Sequence, residues 1–456
     1  MTLHVAIIGG GASGTLAAAH LLRRRSSPER LRITLVESRE DVGCGIAYST
    51  DQSSHLLNTR VHNMSAFPDE PEHFARWLER QGLSSGGGLE FVPRKIYGRY
   101  LTELIAADPN TPAVPRLQIV KQECIGLRTH DHGVEVALSD GTVLPSHFAI
   151  LATGYCRDGR QVPGLDDPWS PLETHDLNAP VVLVGTGLTM VDMVLSLLDA
   201  GQSGPIYALS RRGLLPQPHR ATKPLKLSAA DIPLGTSLAY MMHWLHSTIR
   251  SHETAGGNWR DIIDGLRPHT QMLWRHLPPE SRGRFLRHAS SLWDTHRHRM
   301  PPASADRIAG AQASGLLRII RGHFQEAHRT AHGTTVSYRP SGRGEAVVLE
   351  ASHAIDCRGF GRLTLPTKNP LIQSLLDDGL ARVDTLKLGL DFDKHDALIG
   401  ADGRSIERVF GIGPITRGSH WEITAVPDIR EQAARLAELL LGTPGLNASR
   451  PQRGVN

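Results

Sequence analysis

Val5-Ala6-Ile7-Ile8-Gly9-Gly10-Gly11-Ala12-Ser13-Gly14-Thr15-Leu16 is the stretch whose reading decides the fold. Its first residues have the apolar run of a buried strand. The glycines fit G-x-G-x-x-G as Gly9, Gly11 and Gly14, and Ala17, Ala18, Ala19, Leu21 and Leu22 continue in a small-residue helical pattern. Strand, glycine turn and helix are the parts of a dinucleotide site. Gly9 permits the tight turn, and Gly11 lets the backbone approach a pyrophosphate. The free N–H groups of the helix start, around Ser13, bind that pyrophosphate, and Gly14 lets helix and strand pack closely. A second β-like run, Leu31–Val36, ends at Glu37, a carboxylate placed to accept hydrogen bonds from an adenosine ribose. The spacing is longer than usual because residues 23–30 prolong the helix and loop. A glycine turn in some other α/β protein is the competing reading, and the strand, helix and acid together weigh against it.

With 456 residues the chain exceeds one simple core, so two or three substructures are expected. A hydrophobic fraction of 40% and a charged fraction of 21% fit a water-soluble globular protein. The net charge of +4 is mild for this length and gives no argument for nucleic acid. Cys44, Cys124, Cys156 and Cys357 are scattered and form no C-x-x-C pair, which counts against a redox dithiol and a zinc ribbon, and no metal is expected. The cysteine pattern suits a reducing cytoplasm, the expected location. Residues 5–22 are broken by four glycines and read as strand plus helix, not as a membrane span.

Further along, Gly43-Cys44-Gly45-Ile46-Ala47-Tyr48 reads either as a loop close to a ligand or as an ordinary turn. A strand at 148–151 ends in Ala152-Thr153-Gly154, whose small residues allow close approach to a flavin nucleotide. Residues 180–192 repeat the strand, glycine turn and helix, with Gly185 and Gly187 in place and Met190 where the third glycine would stand. The next strand ends in Arg211-Arg212. Basic side chains there suit a 2′-phosphate and favour NADPH slightly over NADH; a solvated strand end is the alternative. From 216 to 310 prolines, histidines, arginines and tryptophans replace the β/glycine pattern, with helical periodicity at 238–249, 259–266 and 271–277. His296-Arg297-His298-Arg299 in this insert reads equally as a contact for an anionic substrate or nicotinamide phosphate and as a solvated helix face. Strands return at 316–320, 334–338 and 346–350. Residues 409–415, carrying Gly411 and Gly413, precede a last helix at 429–441 and would bring backbone to the flavin.

The expected architecture is therefore α/β, with two Rossmann-like dinucleotide-binding domains and a helical insert. The divisions are 1–155 for the first part of the FAD domain, 156–215 for the NAD(P)H-binding segment and 216–310 for the insert. Residues 311–362 supply return strands, 363–442 the second part of the FAD domain, and 443–456 a loose tail.

Taken together, these features resemble a bacterial FAD/NAD(P)-binding protein family with two dinucleotide-binding motifs. The likeness spans nearly the whole chain. It rests on residues 9–14, Gly43-x-Gly45-Ile46-Ala47-Tyr48, Asn63-Met64-Ser65-Ala66, Pro93-Arg94-x3-Gly98-Arg99-Tyr100, residues 210–216, residues 296–299 and Arg417-Gly418-x2-Trp421-Glu422-x-Thr424-Ala425-Val426-Pro427. The resemblance implies FAD as cofactor, NADH or NADPH as electron donor, and a monooxygenase that oxidises a small electron-rich substrate with O2 through a flavin hydroperoxide. The length is most similar to a FAD-dependent urate hydroxylase type, making urate, oxidised to 5-hydroxyisourate in purine degradation, the first expectation. Hydroxylation of an amino-acid nitrogen is the second. A flavin reductase serving an electron carrier and a non-catalytic nucleotide sensor are the other classes. The Baeyer–Villiger signature F-x-G-x3-H-x3-W is absent. No residue is singled out as a catalytic base.

Overall fold

The computed structural model describes residues 2–23, 31–84, 87–106, 116–155, 162–170, 176–342, 344–359 and 361–442. Residues 24–30, Cys156 and the expected loose tail lie outside these ranges.

The first sheet grows around β1 (Leu3–Ile8), which pairs in parallel with β2 (Leu31–Val36) on one side and, on the other, with β7 (Phe148–Leu151). It extends through β3 (Leu117–Val120) at one edge, and through β15 (Ser405–Gly411) and β14 (Ala397–Ile399) at the other. The order is β14-β15-β7-β1-β2-β3, so strands nearly 400 residues apart in sequence close one sheet. Alternation along β1 divides its side chains between two cores. Val5 and Ile7 meet α1 (Ala12–Arg23), α4 (Arg94–Leu104) and α13 (Val426–Gly442), the last through Ile429, Ala433, Leu436 and Leu440. Ala6 and Ile8 face a small antiparallel sheet of β4 (Cys124–His130), β5 (Gly133–Leu138) and β6 (Val143–Ser146), together with α12 (Pro370–Asp377). The stretch 43–48, open between loop and turn in sequence, forms a short helix α2 (Gly45–Tyr48), and α3 (His73–Arg80) precedes α4.

The second sheet runs β12-β11-β10-β9-β8-β13. Here β8 (Val181–Val184), β9 (Ile206–Ser210), the start of β10 (Leu317–Thr330) and β13 (His353–Asp356) are parallel. β10 is far longer than the five residues read from sequence. Its first five residues pair with β9, and the remainder bends at a bulge after Phe324 to pair antiparallel with β11 (Gly333–Pro340), which in turn holds β12 (Val347–Ala351). One face is covered by α5 (Leu188–Asp199) and α11 (Pro302–Ala313); the bent β10–β11 ribbon covers the other with Ala327, Val336 and Tyr338.

Between β9 and α11 stand α6 (Leu238–Thr254), α7 (Trp259–Leu266), α8 (Thr270–His276), α9 (Pro279–His288) and α10 (Ser290–Arg297). They dock on the chain's C-terminal part through aromatic packing: Trp274 stacks on Trp421 at 4.6 Å between ring centres, and Phe285 meets Trp421 edge-on. No helix of the described residues is long and apolar enough to cross a membrane.

Candidate functional site

Both glycine turns open onto one cavity of about 1170 Å³. At the first turn, Gly9 adopts φ +107°, and its N–H donates to Val36 O at 2.8 Å. A Cβ on Gly14 would lie 1.9 Å from Gly9 O, so that glycine is required by the turn itself. Gly11 differs: the nearest atom a Cβ would meet is Gly45 Cα at 3.4 Å, ordinary contact, and the residue lines the cavity. The protein leaves room there that a side chain would take from a ligand.

Glu37 also lines the cavity. Its Oε2 accepts from Gly10 N–H at 2.8 Å, and its Oε1 from Arg39 N–H at 2.9 Å. Burial works to raise its pKa, but the hydrogen bonds and charge of Arg39, with Gly10, outweigh burial and hold it below the usual value. The carboxylate therefore both braces the glycine turn and faces the ligand space. Thr153 and Gly154 line the cavity, and Thr153 Oγ1 is buried with no hydrogen-bond partner among the described residues. Ser13 lines it as well. Gly411 and Gly413 do not: a Cβ on Gly411 would strike Phe392 at 2.4 Å, and one on Gly413 would strike Ser13 Oγ at 2.2 Å. Their smallness brings the C-terminal segment against the first turn, and Pro414 is the residue of that segment that reaches the cavity wall.

At the second turn, Gly185 has φ +121°, and a Cβ would lie 2.4 Å from Cys357 O. Nothing stands within 4 Å of a Cβ on Gly187, which begins α5 and lines the cavity. Arg211 and Arg212 are exposed at the rim of the same cavity. The two halves are joined by buried polar contacts: Arg94 Nη2 lies 2.8 Å from Asp192 Oδ2, and His55 Nε2 lies 2.8 Å from Ser196 Oγ.

The His296–Arg299 stretch is divided by the fold. His298 alone of the four lines the cavity. Arg297 Nε pairs with Glu422 Oε2 at 3.1 Å, Arg299 pairs with Asp264, and His296 packs edge-on against Trp259. The two arginines are thus turned to internal carboxylates and are not a clamp facing a substrate. Glu422 is buried at φ +64°, a strained backbone conformation for a residue with a side chain. Burial would raise its pKa, but Arg297, His298 and a hydrogen bond from Trp293 Nε1 keep it low. His298 is pushed down to about 4 by burial, with Arg297 adding to the effect against the pull of Glu422, and is a neutral imidazole near pH 7.

Sequence reading did not single out Asp294, Tyr155 or Arg417, which also line this end of the cavity. Arg417 lies within the motif at 417–427, the one signal that could have drawn attention to it. Asp294 is pushed up to about 7 by desolvation and the nearby Glu422 charge, against the opposing pull of Arg417. Among the described residues no cluster of histidine, cysteine and carboxylate side chains could hold a metal ion.

Comparison with known proteins agrees with this geometry. Residues 6–156 match the family model described as FAD-NAD(P)-binding. An uncharacterized protein of Mycobacterium tuberculosis is 24% identical, with 97% of this chain and 96% of the relative covered. Among solved structures, L-lysine 6-monooxygenase from Pseudomonas syringae is similar with a TM-score of 0.63 at 15% identity, over 97% of this chain and 99% of that one. Ornithine hydroxylase from Pseudomonas aeruginosa has a TM-score of 0.61 at 15% identity over the same shares. Thioredoxin reductase from Lactococcus lactis follows at 0.51 and 12%, over 97% and 98%. Residues 6–156 therefore match an FAD-NAD(P)-binding domain, and the α/β fold of the chain is shared with L-lysine 6-monooxygenase, ornithine hydroxylase and thioredoxin reductase.

Proposed function

We propose that this protein is an FAD-dependent, NAD(P)H-using monooxygenase that hydroxylates an amine nitrogen of a small amino acid. The observation that carries the reading is the one cavity onto which both glycine turns open, lined also by ionisable side chains from the insert and from residues 417–424. The likeness of the whole fold to ornithine and lysine hydroxylases supports it.

The residues fit the two nucleotides. Gly11 and Gly187 each leave space that a Cβ would fill, at the start of a helix whose first N–H groups lack partners within the helix. FAD would be held by the turn from Gly9 to Gly14, by Glu37 and by Thr153, whose buried hydroxyl awaits a partner. NADPH would lie on Gly185 and Gly187, with Arg211 and Arg212 as paired donors to a 2′-phosphate. When bound, FAD supplies hydride acceptance and the activation of O2. The chain's own part is to bind, orient and keep water out. α10 and residues 417–424 wall the reacting end, and Trp421 and the neutral His298 form part of that wall.

Urate fits this lining less well. The arginines expected to meet an anion, Arg297 and Arg299, are paired with internal carboxylates, which removes the residues on which that expectation rested. The test is NADPH oxidation by the FAD-loaded protein with L-ornithine, L-lysine or urate, scored by hydroxylamine formation. Stimulation by an amino acid with hydroxylamine produced is the expected result. Stimulation by urate alone, or by a quinone with no hydroxylated product, would replace this reading.

A further inference from the structure

We propose that Arg417 and Asp294 form a clamp for the zwitterionic head of an α-amino acid, Arg417 taking the carboxylate and Asp294 the α-ammonium group. This rests on the amine-hydroxylating reading above and adds which substrates the site admits.

The two residues come from separate elements. Arg417 follows the short helical turn Gly413–Thr416, and Asp294 sits on α10. The stacking of Trp274 on Trp421 and the ion pair of Arg297 with Glu422 fix these elements against one another, and both side chains line the cavity, with His298 next to Asp294 lying 4.0 Å from Glu422. The other charges carried by these elements and their neighbours are matched within the protein. Glu422 has Arg297 and the Trp293 indole, Arg299 has Asp264, and Arg267 lies 3.8 Å from Asp428. Arg417 and Asp294 are the exceptions. The Arg417 guanidinium lies 5.2 Å from the centre of the Trp421 ring, and no ion pair engages it among the described residues. Among the described residues the one ion-pair partner of Asp294 is the His298 imidazole, at 3.8 Å, and that ring is neutral near pH 7.

The cavity wall therefore offers one cation and one titratable carboxyl, neither held in an ion pair with a permanent opposite charge among the described residues. A zwitterion satisfies both. Arginine's planar fork matches a carboxylate with two parallel hydrogen bonds, and Trp421 beneath it holds the fork's plane. An ammonium group gives Asp294 the full counter-charge that neutral His298 cannot. A diamine would leave Arg417 without an anion, and an acid lacking the α-amino group would leave Asp294 without a cation. An unmatched charge on the clamp weakens binding, so such a clamp selects by its missing partner as well as by its present one.

The experiment measures binding of L-ornithine, of its decarboxylated counterpart butane-1,4-diamine, and of 5-aminopentanoate, which lacks the α-amino group, to the FAD-loaded protein by calorimetry. L-Lysine and its two counterparts serve as a second series. The wild type should prefer the amino acid over either truncated compound by on the order of 10- to 100-fold, the range of one charged hydrogen-bonding partner. Arg417→Met should abolish preference over the diamine and retain preference over the deaminated acid. Asp294→Asn should do the reverse. Arg417→Lys, a milder change, should restore part of the first preference. If amino acids bind with this pattern and are not hydroxylated, the clamp stands and the proposed reaction falls. Hydroxylation with both preferences intact in both variants overturns the clamp and keeps the reaction. Absence of binding by either amino acid overturns the clamp, as does an Arg417→Met effect confined to NADPH affinity.

Discussion

Replacing Gly187 with alanine separates a glycine kept for a ligand from one kept for the fold. No atom stands within 4 Å of the added Cβ, and its φ of −83° suits any residue. The fold should therefore be indifferent, with melting temperature and FAD content unchanged. The methyl group would instead occupy space the NADPH pyrophosphate needs. Forcing a methyl into a filled site costs about 1–3 kcal/mol, or roughly 5- to 150-fold in Kd. The neighbouring control is Gly185→Ala, whose Cβ would lie 2.4 Å from Cys357 O at φ +121°, and which should lower stability outright. The first turn carries the same contrast. Gly11→Ala meets only Gly45 Cα at 3.4 Å and should fold while losing FAD, whereas Gly14→Ala puts Cβ 1.9 Å from Gly9 O and should fail to fold well. Absorbance gives FAD per chain, titration with NADP+ gives Kd, and thermal melting gives stability. A Gly187→Ala protein that binds NADP+ as tightly as wild type would refute the reasoning, and so would one that loses FAD along with NADP+.

Arg211→Ala combined with Arg212→Ala should raise KM for NADPH by roughly 10- to 100-fold and leave KM for NADH nearly unchanged, because only NADPH carries the 2′-phosphate; equal effects on both donors would remove the assignment. Arg94→Met should destabilise by about 3–5 kcal/mol, because it strands the buried Asp192 carboxylate, and adding Asp192→Leu should recover part of the loss in a melting experiment. Substrate binding should depend on pH through Asp294. With its pKa pushed up to about 7, it is protonated below that value and becomes a carboxylate as pH rises through it, facing Glu422, Arg417 and His298. KM for the amino acid should therefore fall between about pH 6 and about pH 8, and Asp294→Asn should flatten that dependence.

The parts legible in sequence are those whose signal is local. β1, its glycine turn and β2 are contiguous patterns, and burial on both faces makes β1 nearly continuously apolar. α7 is readable to the residue because its helical period is likewise local. β4 was missed because Gly126 and alternating polar residues in Cys124–His130 mask a strand that only its pairing with β5 defines. The far half of β10 reads as a polar loop, and β11 makes it a strand. In the site, the glycines carried their own signal, but the distinction between Gly11, which faces a cavity, and Gly413, which packs on Ser13, depends on neighbours hundreds of residues away. The His296–Arg299 stretch reads as free positive charge because Glu422 and Asp264, which neutralise Arg297 and Arg299, lie elsewhere in the chain. Asp294 carried no sequence signal, since its character comes from the cavity wall around it.

The most direct measurement of the central claim is mass spectrometry of the amino-acid product formed by FAD-loaded protein and NADPH under isotopically labelled dioxygen. The account predicts a hydroxylamine carrying one labelled oxygen atom, formed in step with NADPH consumption. NADPH oxidation that yields only labelled hydrogen peroxide across all amino acids supplied, or a labelled product from urate, would contradict it.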